Sequence, residues 1–111
     1  MKIRDIVKTL DLKVISGEKF LEREVTGGYA GDLLSDVLAN SKKGNIWVTL
    51  QIHQNIIAVA SSKELSGIII VNGRKPEEET LKKAKEEKIP VMISKLLTYE
   101  VAGRLHEIGI R

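Results

Sequence analysis

Hydrophobic residues recur at helical spacing near both ends of the chain. Four of them share one face of a predicted first helix: Ile3, Ile6, Val7 and Leu10. A predicted last helix buries a similar set, Leu97, Val101, Leu105 and Ile108. Thr98 is the expected cap of that helix, and Gly109 is expected to end it.

Between these ends, short apolar runs alternate with longer amphipathic segments. Strands are predicted at residues 46–50, 67–71 and 89–93. The continuous β-branched run at 67–71 is typical of a strand buried on both faces of a parallel sheet. Helices are predicted between them at residues 54–65 and 76–88. This β-α-β-α-β-α order predicts right-handed crossovers. The fold class is therefore α/β, a single three-layer domain over residues 1–111 with a mainly parallel sheet and helices on both faces.

Residues 12–45 have a weaker pattern. A strand is predicted at residues 12–14, a turn at 16–19 and a second strand at 21–25. Asp32 is then expected to cap a short helix, because its carboxylate can accept hydrogen bonds from free backbone amides. The apolar face of that helix would comprise Leu33, Leu34, Val37 and Leu38.

A glycine-rich segment, Gly27 to Asp32, separates the second strand from this helix. Three interpretations of it remain open. It can be a tight turn whose glycines adopt positive φ, an anion site made by exposed backbone N–H groups, or a close contact between two copies of the chain.

Composition and charge exclude several classes of protein. The 111 residues include no cysteine, so disulfide scaffolds and thiolate sites are excluded. The formal charge of +3 comes from interspersed signs, and aromatic residues make up only 4%, which argues against nucleic-acid binding. No apolar run is long enough for a membrane span. We expect a soluble, cytoplasmic protein without nucleic-acid or membrane partners.

The sequence contains no recognisable catalytic constellation. The phosphate-binding string Gly-x-x-x-x-Gly-Lys-Ser/Thr is missing. The two histidines, His53 and His106, are too few and too far apart to indicate a metal cluster. His53 precedes a predicted helix, and a hydrogen bond to Gln54 or Asn55 at the helix entry is the favoured role. We therefore predict no catalytic residue, no metal and no cofactor.

Two stretches resemble stand-alone DRTGG-domain proteins of bacteria. They are residues 25–35, VTGGYAGDLLS, and residues 46–60, IWVTLQIHQNIIAVA, and the resemblance continues over nearly the whole chain. The leading Asp-Arg of the family's motif is replaced here by Glu24 and Val25. The resemblance implies a fold similar to the N-terminal domain of HPr kinase/phosphorylase and a regulatory, dimerising role. A kinase activity is not implied, because the P-loop is missing.

The predicted function is a non-catalytic regulatory module, a homodimer with a small-molecule or nucleotide ligand. An alternative is a protein-interaction subunit of a larger enzyme or redox complex, and a second is a small enzyme using His53 with Asp32 or Asp36. The residues predicted for ligand binding or dimer contact are Thr26, Gly27, Gly28, Tyr29, Gly31, Asp32, His53 and Asn55.

Overall fold

A computed structural model describes all 111 residues. Five helices are present: α1 (Ile3–Leu10), α2 (Leu34–Asn40), α3 (Asn55–Ser62), α4 (Glu78–Glu87) and α5 (Thr98–Glu107). The five strands are β1 (Lys13–Ser16), β2 (Gly27–Ala30), β3 (Asn45–Thr49), β4 (Gly67–Ile70) and β5 (Val91–Ile93). None of the helices has the length and apolar character needed to cross a bilayer.

All five strands form one sheet in the order β1-β5-β4-β3-β2. Strands β2 to β5 run parallel, and β1 pairs antiparallel with β5. In register, Val48 lies between Ala30 and Ile69. The predicted mainly parallel sheet is confirmed, and β2 and β1 form its two edges.

Each face of the sheet has its own hydrophobic core, because successive side chains of a strand point to opposite faces. Ile69 and Met92 pack against α1 and α5 on one face. Ile68 and Ile70 pack with residues of α2, α3 and α4 on the other face. The predicted three layers with helices on both faces are therefore confirmed.

The predicted strand at residues 21–25 is wrong. A short 3₁₀ helix, Glu18–Phe20, precedes these residues, and Glu24 makes only an isolated bridge with Lys2. The strand forms instead at Gly27–Ala30, which pairs with β3 along its full length. Glycine has a poor strand propensity, but tertiary pairing overrides it here.

The predicted helix caps are also partly wrong. Leu33 and Leu97 are the residues that precede α2 and α5, and neither Asp32 nor Thr98 caps these helices. Leu33 and Leu97 are consequently exposed by 67% and 57%, not buried. The prediction for Gly109 is confirmed, since it follows the end of α5 with a φ of +101°.

Candidate functional site

The glycine-rich segment is a strand at the edge of the sheet, so the tight-turn interpretation is wrong. Neither Gly27 nor Gly28 has a positive φ. Gly27 is buried, and a Cβ atom added to it would lie 2.8 Å from the backbone carbonyl oxygen of Arg111. Glycine is therefore required at position 27 for the close approach of another backbone, rather than for its φ angle.

Thr26 holds the turn that precedes β3. Its hydroxyl donates a 2.8 Å hydrogen bond to the carbonyl of Lys43. The next residue, Gly44, has a φ of +83°, and a Cβ atom there would lie 2.7 Å from Oγ1 and Cγ2 of Thr26. Thr26 and Gly27 therefore make structural contacts within the chain, and neither resembles a phosphate cradle.

Gly28 and Ala30 present unpaired backbone groups at the edge of the sheet. The amide of Gly31 donates to the carbonyl of Val48 in β3 at 3.1 Å. Because backbone direction alternates along a strand, the N–H and C=O groups of Gly28 and Ala30 point away from β3. Both residues are exposed. The outer edge of β2 thus has free donors and acceptors.

Tyr29 and Asp36 form a hydrogen-bonded pair between β2 and α2. The Tyr29 hydroxyl donates to Oδ2 of Asp36 at 2.6 Å, and the Asn40 amide donates to Oδ1 of the same carboxylate at 2.9 Å. The hydrogen bond to Asp36, together with burial and the negative charge, raises the pKa of Tyr29 above its usual value. Both oxygens of Asp36 therefore accept hydrogen bonds within the fold.

Asp32 joins the carboxyl ends of β2 and β3. Its Oδ1 accepts hydrogen bonds from the Thr49 hydroxyl at 2.9 Å and from the Leu50 amide at 2.7 Å. The Gln51 side chain donates to the Asp32 carbonyl at 2.9 Å. These bonds explain why Asp32 does not cap α2: its carboxylate is directed to the neighbouring strand.

His53 has the structural role that its position predicts. The backbone amide of Asn55, the first residue of α3, donates to Nδ1 of His53 at 3.1 Å. The structure contains no group of three or more acidic or histidine side chains that could hold a metal ion.

The predicted site residues do not all line one groove. Four of them line a shallow groove of about 530 Å³ beside β2: Thr26, Gly27, Gly28 and Tyr29. Gly31 and Asp32 follow the carboxyl end of β2, whereas His53 and Asn55 belong to the loop and helix after β3.

A second cleft lies at the carboxyl ends of β4 and β5, and the sequence analysis missed it. This β4–β5 cleft has a volume of about 480 Å³, and its polar lining consists of Asp11, Lys13, Lys75, Ser94, Lys95 and Arg104. These residues come from four separate parts of the chain, so no local sequence motif identifies them. The cleft could have been found from the loops at residues 72–75 and 94–96, because each of them follows one of two adjacent predicted strands.

One solved structure with a similar fold is the CBS and DRTGG domains of the regulatory region of Clostridium perfringens pyrophosphatase, complexed with the activator diadenosine tetraphosphate. The TM-score is 0.73 at 16% identity, over 94% of this chain and 45% of that one. This chain therefore spans less than half the length of that neighbour. No curated protein matches the sequence. The family model named DRTGG domain matches residues 5–108, so the chain belongs to the DRTGG domain family.

Proposed function

We propose that residues 1–111 act as a non-catalytic regulatory module of the cytoplasm, a homodimer that responds to a small metabolite or nucleotide. The similar fold in the pyrophosphatase occurs in a regulatory region complexed with a nucleotide activator, which supports this class of function. The observation that carries the proposal is the open edge of β2, where Gly28 and Ala30 leave backbone groups unpaired.

The two edges of the sheet differ in a way that favours pairing through β2. The edge strand β1 begins with exposed Lys13 and contains a register shift between Val14 and Ser16. Charge and irregularity of this kind protect an edge strand from pairing. The outer edge of β2 presents uncharged Gly28 and Ala30 in regular register. Antiparallel pairing of two β2 strands would give a two-fold dimer with one continuous sheet.

The proposal that the module is non-catalytic is supported by the hydrogen bonds that occupy its candidate acid and base groups. Asp36 accepts hydrogen bonds from Tyr29 and Asn40. Asp32 accepts from Leu50 and Thr49, and Nδ1 of His53 accepts from Asn55. Because each of these groups stabilises the fold, none is free to act as a general base through the bonded atom.

Substitution of Ala30 by proline tests the dimer. Proline removes the outward N–H and is tolerated on edge strands, so Ala30→Pro should fold but lose edge pairing. Ala30→Val keeps the N–H and is the matched control. In sedimentation equilibrium at micromolar concentration, we expect the wild type and Ala30→Val at twice the 12.3 kDa chain mass and Ala30→Pro at 12.3 kDa. Circular dichroism checks folding. A monomeric wild type, or a dimeric Ala30→Pro, would overturn edge pairing.

A further inference from the structure

After the adjacent parallel strands β4 and β5, the chain turns to opposite faces of the sheet. After β4 it forms α4, whose Ala84 packs in the core shared with α2 and α3. After β5 it forms α5, whose Val101 and Leu105 pack with α1 on the other face. In open α/β sheets, such a switch point opens a crevice at the carboxyl ends of the strands, and ligands bind there. The β4–β5 cleft occupies this position.

The two loops that form the cleft hold each other in place. The amide of Asn72 donates to the carbonyl of Leu96 at 2.8 Å, and the amide of Gly73 donates to the carbonyl of Ser94 at 2.8 Å. Ser94 is 2% exposed, and its hydroxyl oxygen accepts from the Leu96 amide at 3.1 Å. Its hydroxyl proton has no acceptor within the protein. The cleft is therefore preformed and retains a buried donor.

The charge of the cleft is strongly positive and unneutralised. Lys13, Lys75, Lys95 and Arg104 line it, with Asp11 as the one acidic side chain. None of the four cations forms an ion pair in the structure. Together the five charged side chains carry a formal charge of +3, which equals that of the whole chain. The charges of the remainder of the chain sum to zero, so this cleft is a locally positive site on the protein.

Two other grooves of the fold also contain charged side chains. The groove beside β2 is lined by Lys42, Lys43 and Arg111, of which Lys43 is paired with Glu64 at 3.1 Å. The groove at the amino ends of the strands contains three glutamates, Glu24, Glu64 and Glu87, against the two cations Arg23 and Lys43. Charge therefore favours the β4–β5 cleft over the groove at the amino ends of the strands. Its position at the switch point distinguishes it from the groove beside β2.

We propose that the β4–β5 cleft binds the phosphate groups of a nucleoside diphosphate or a related diphosphate ester. The terminal phosphate of such a diphosphate carries about −1.5 to −2 charges at neutral pH and the inner phosphate about −1, so together they match the charge of the cleft. Its volume of about 480 Å³ also lies within the roughly 300–1,000 Å³ common for small-molecule sites. This inference rests on the proposed regulatory function and gives its ligand a location and a chemical class.

Calorimetric titration with ADP, sodium diphosphate and adenosine tests the inference. We expect ADP and diphosphate to bind, more weakly as salt is added, and adenosine not to bind. The double variant Lys95→Gln/Arg104→Gln should weaken ADP binding by about tenfold or more, because it removes two of the four positive charges of the cleft. Lys82→Gln/Lys85→Gln changes the same charge on the exposed side of α4 and should bind like the wild type.

The backbone amide chemical shifts of the full chain, measured by NMR spectroscopy, identify where ADP binds. ADP should shift the amides of residues 72–73 and 94–96 in the wild type, and Lys95→Gln/Arg104→Gln should need about tenfold more ADP for the same shifts. The inference is overturned if neither phosphate compound binds at millimolar concentration, if adenosine binds as tightly as ADP, or if both double variants lose equal affinity. Monomeric Ala30→Pro separates the two proposals, because the cleft lies within one chain and should bind ADP without a dimer.

Discussion

The carboxylate of Asp32 accepts a 2.7 Å hydrogen bond from the backbone amide of Leu50, across the carboxyl ends of β2 and β3. The same oxygen accepts from the hydroxyl of Thr49, which is fully buried. Asp32 itself is exposed, but the two donors belong to the edge of the core. The residue thus holds two strand ends together at the position where sequence pattern predicted a helix cap.

Replacement of Asp32 by alanine should destabilise the fold. Hydrogen bonds to charged groups contribute about 1.5–3 kcal/mol, and the exposure of Asp32 places the expected loss near the lower end of that range. Asp32→Asn keeps an acceptor oxygen at Oδ1 and should cost less than Asp32→Ala. Urea denaturation of the two variants measures the difference. Equal stability of Asp32→Ala and the wild type would contradict a structural role for this carboxylate.

Two glycines provide a matched test of backbone approach. A Cβ atom at Gly27 would lie 2.8 Å from the Arg111 carbonyl oxygen, so Gly27→Ala should destabilise the fold by about 1–3 kcal/mol. Gly103 lies within α5 and has no neighbouring atom within 4 Å of an added Cβ. Gly103→Ala should therefore stabilise the fold by about 0.5–1 kcal/mol. Thermal unfolding of both variants should show shifts of opposite sign, and a Gly27→Ala variant as stable as the wild type would contradict the contact.

The regular half of the fold could be predicted because its pattern is local. The β-branched run at Gly67–Ile70 is fully buried on both faces, as a continuous apolar run predicts. The spacing of Ile3, Ile6 and Leu10 likewise identifies the buried face of α1. The hydrogen bond between His53 and Asn55 was also predictable, because it joins residues only two positions apart.

The remaining features depend on contacts distant in sequence. Gly27 is a strand residue because it pairs with Asn45 and leaves room for the backbone of Arg111. Both contacts are distant in sequence, so local propensity does not predict them. The β4–β5 cleft combines Lys13 from β1 with Arg104 from α5. Its location requires knowing that α5 lies on the face opposite α4, and the alternation of strands and helices does not specify which face each helix covers.

A buried hydroxyl without a partner offers a third test. Ser16 is 1% exposed, and its Oγ has no hydrogen-bond partner, so the fold bears the cost of desolvating that group. Ser16→Ala should leave stability unchanged or raise it by about 1 kcal/mol. Ser41 is buried to a similar extent, but its hydroxyl donates to the Val37 carbonyl at 2.6 Å. Ser41→Ala should therefore lower stability by about 1 kcal/mol. Chemical denaturation that gave the reverse order would contradict this assignment.

The pair of Tyr29 and Asp36 should make stability depend on alkaline pH. The hydrogen bond to Asp36, followed by burial and the negative charge, raises the pKa of Tyr29 above its value in the unfolded chain, which is about 10. The native state therefore favours the neutral phenol. Its contribution to stability is fully present below the unfolded pKa and is lost as the pH rises through the higher folded pKa.

Asp36→Asn removes the charge and weakens the acceptor, so it should lower the pKa of Tyr29 towards the usual value and reduce this loss of stability at alkaline pH. The tyrosinate absorbance of the wild type, minus that of Tyr29→Phe, reports the titration of Tyr29 alone. Urea denaturation on both sides of that transition then measures the pH dependence of stability. A pKa of Tyr29 that does not fall in Asp36→Asn would show that burial, rather than the hydrogen bond to Asp36, causes the shift.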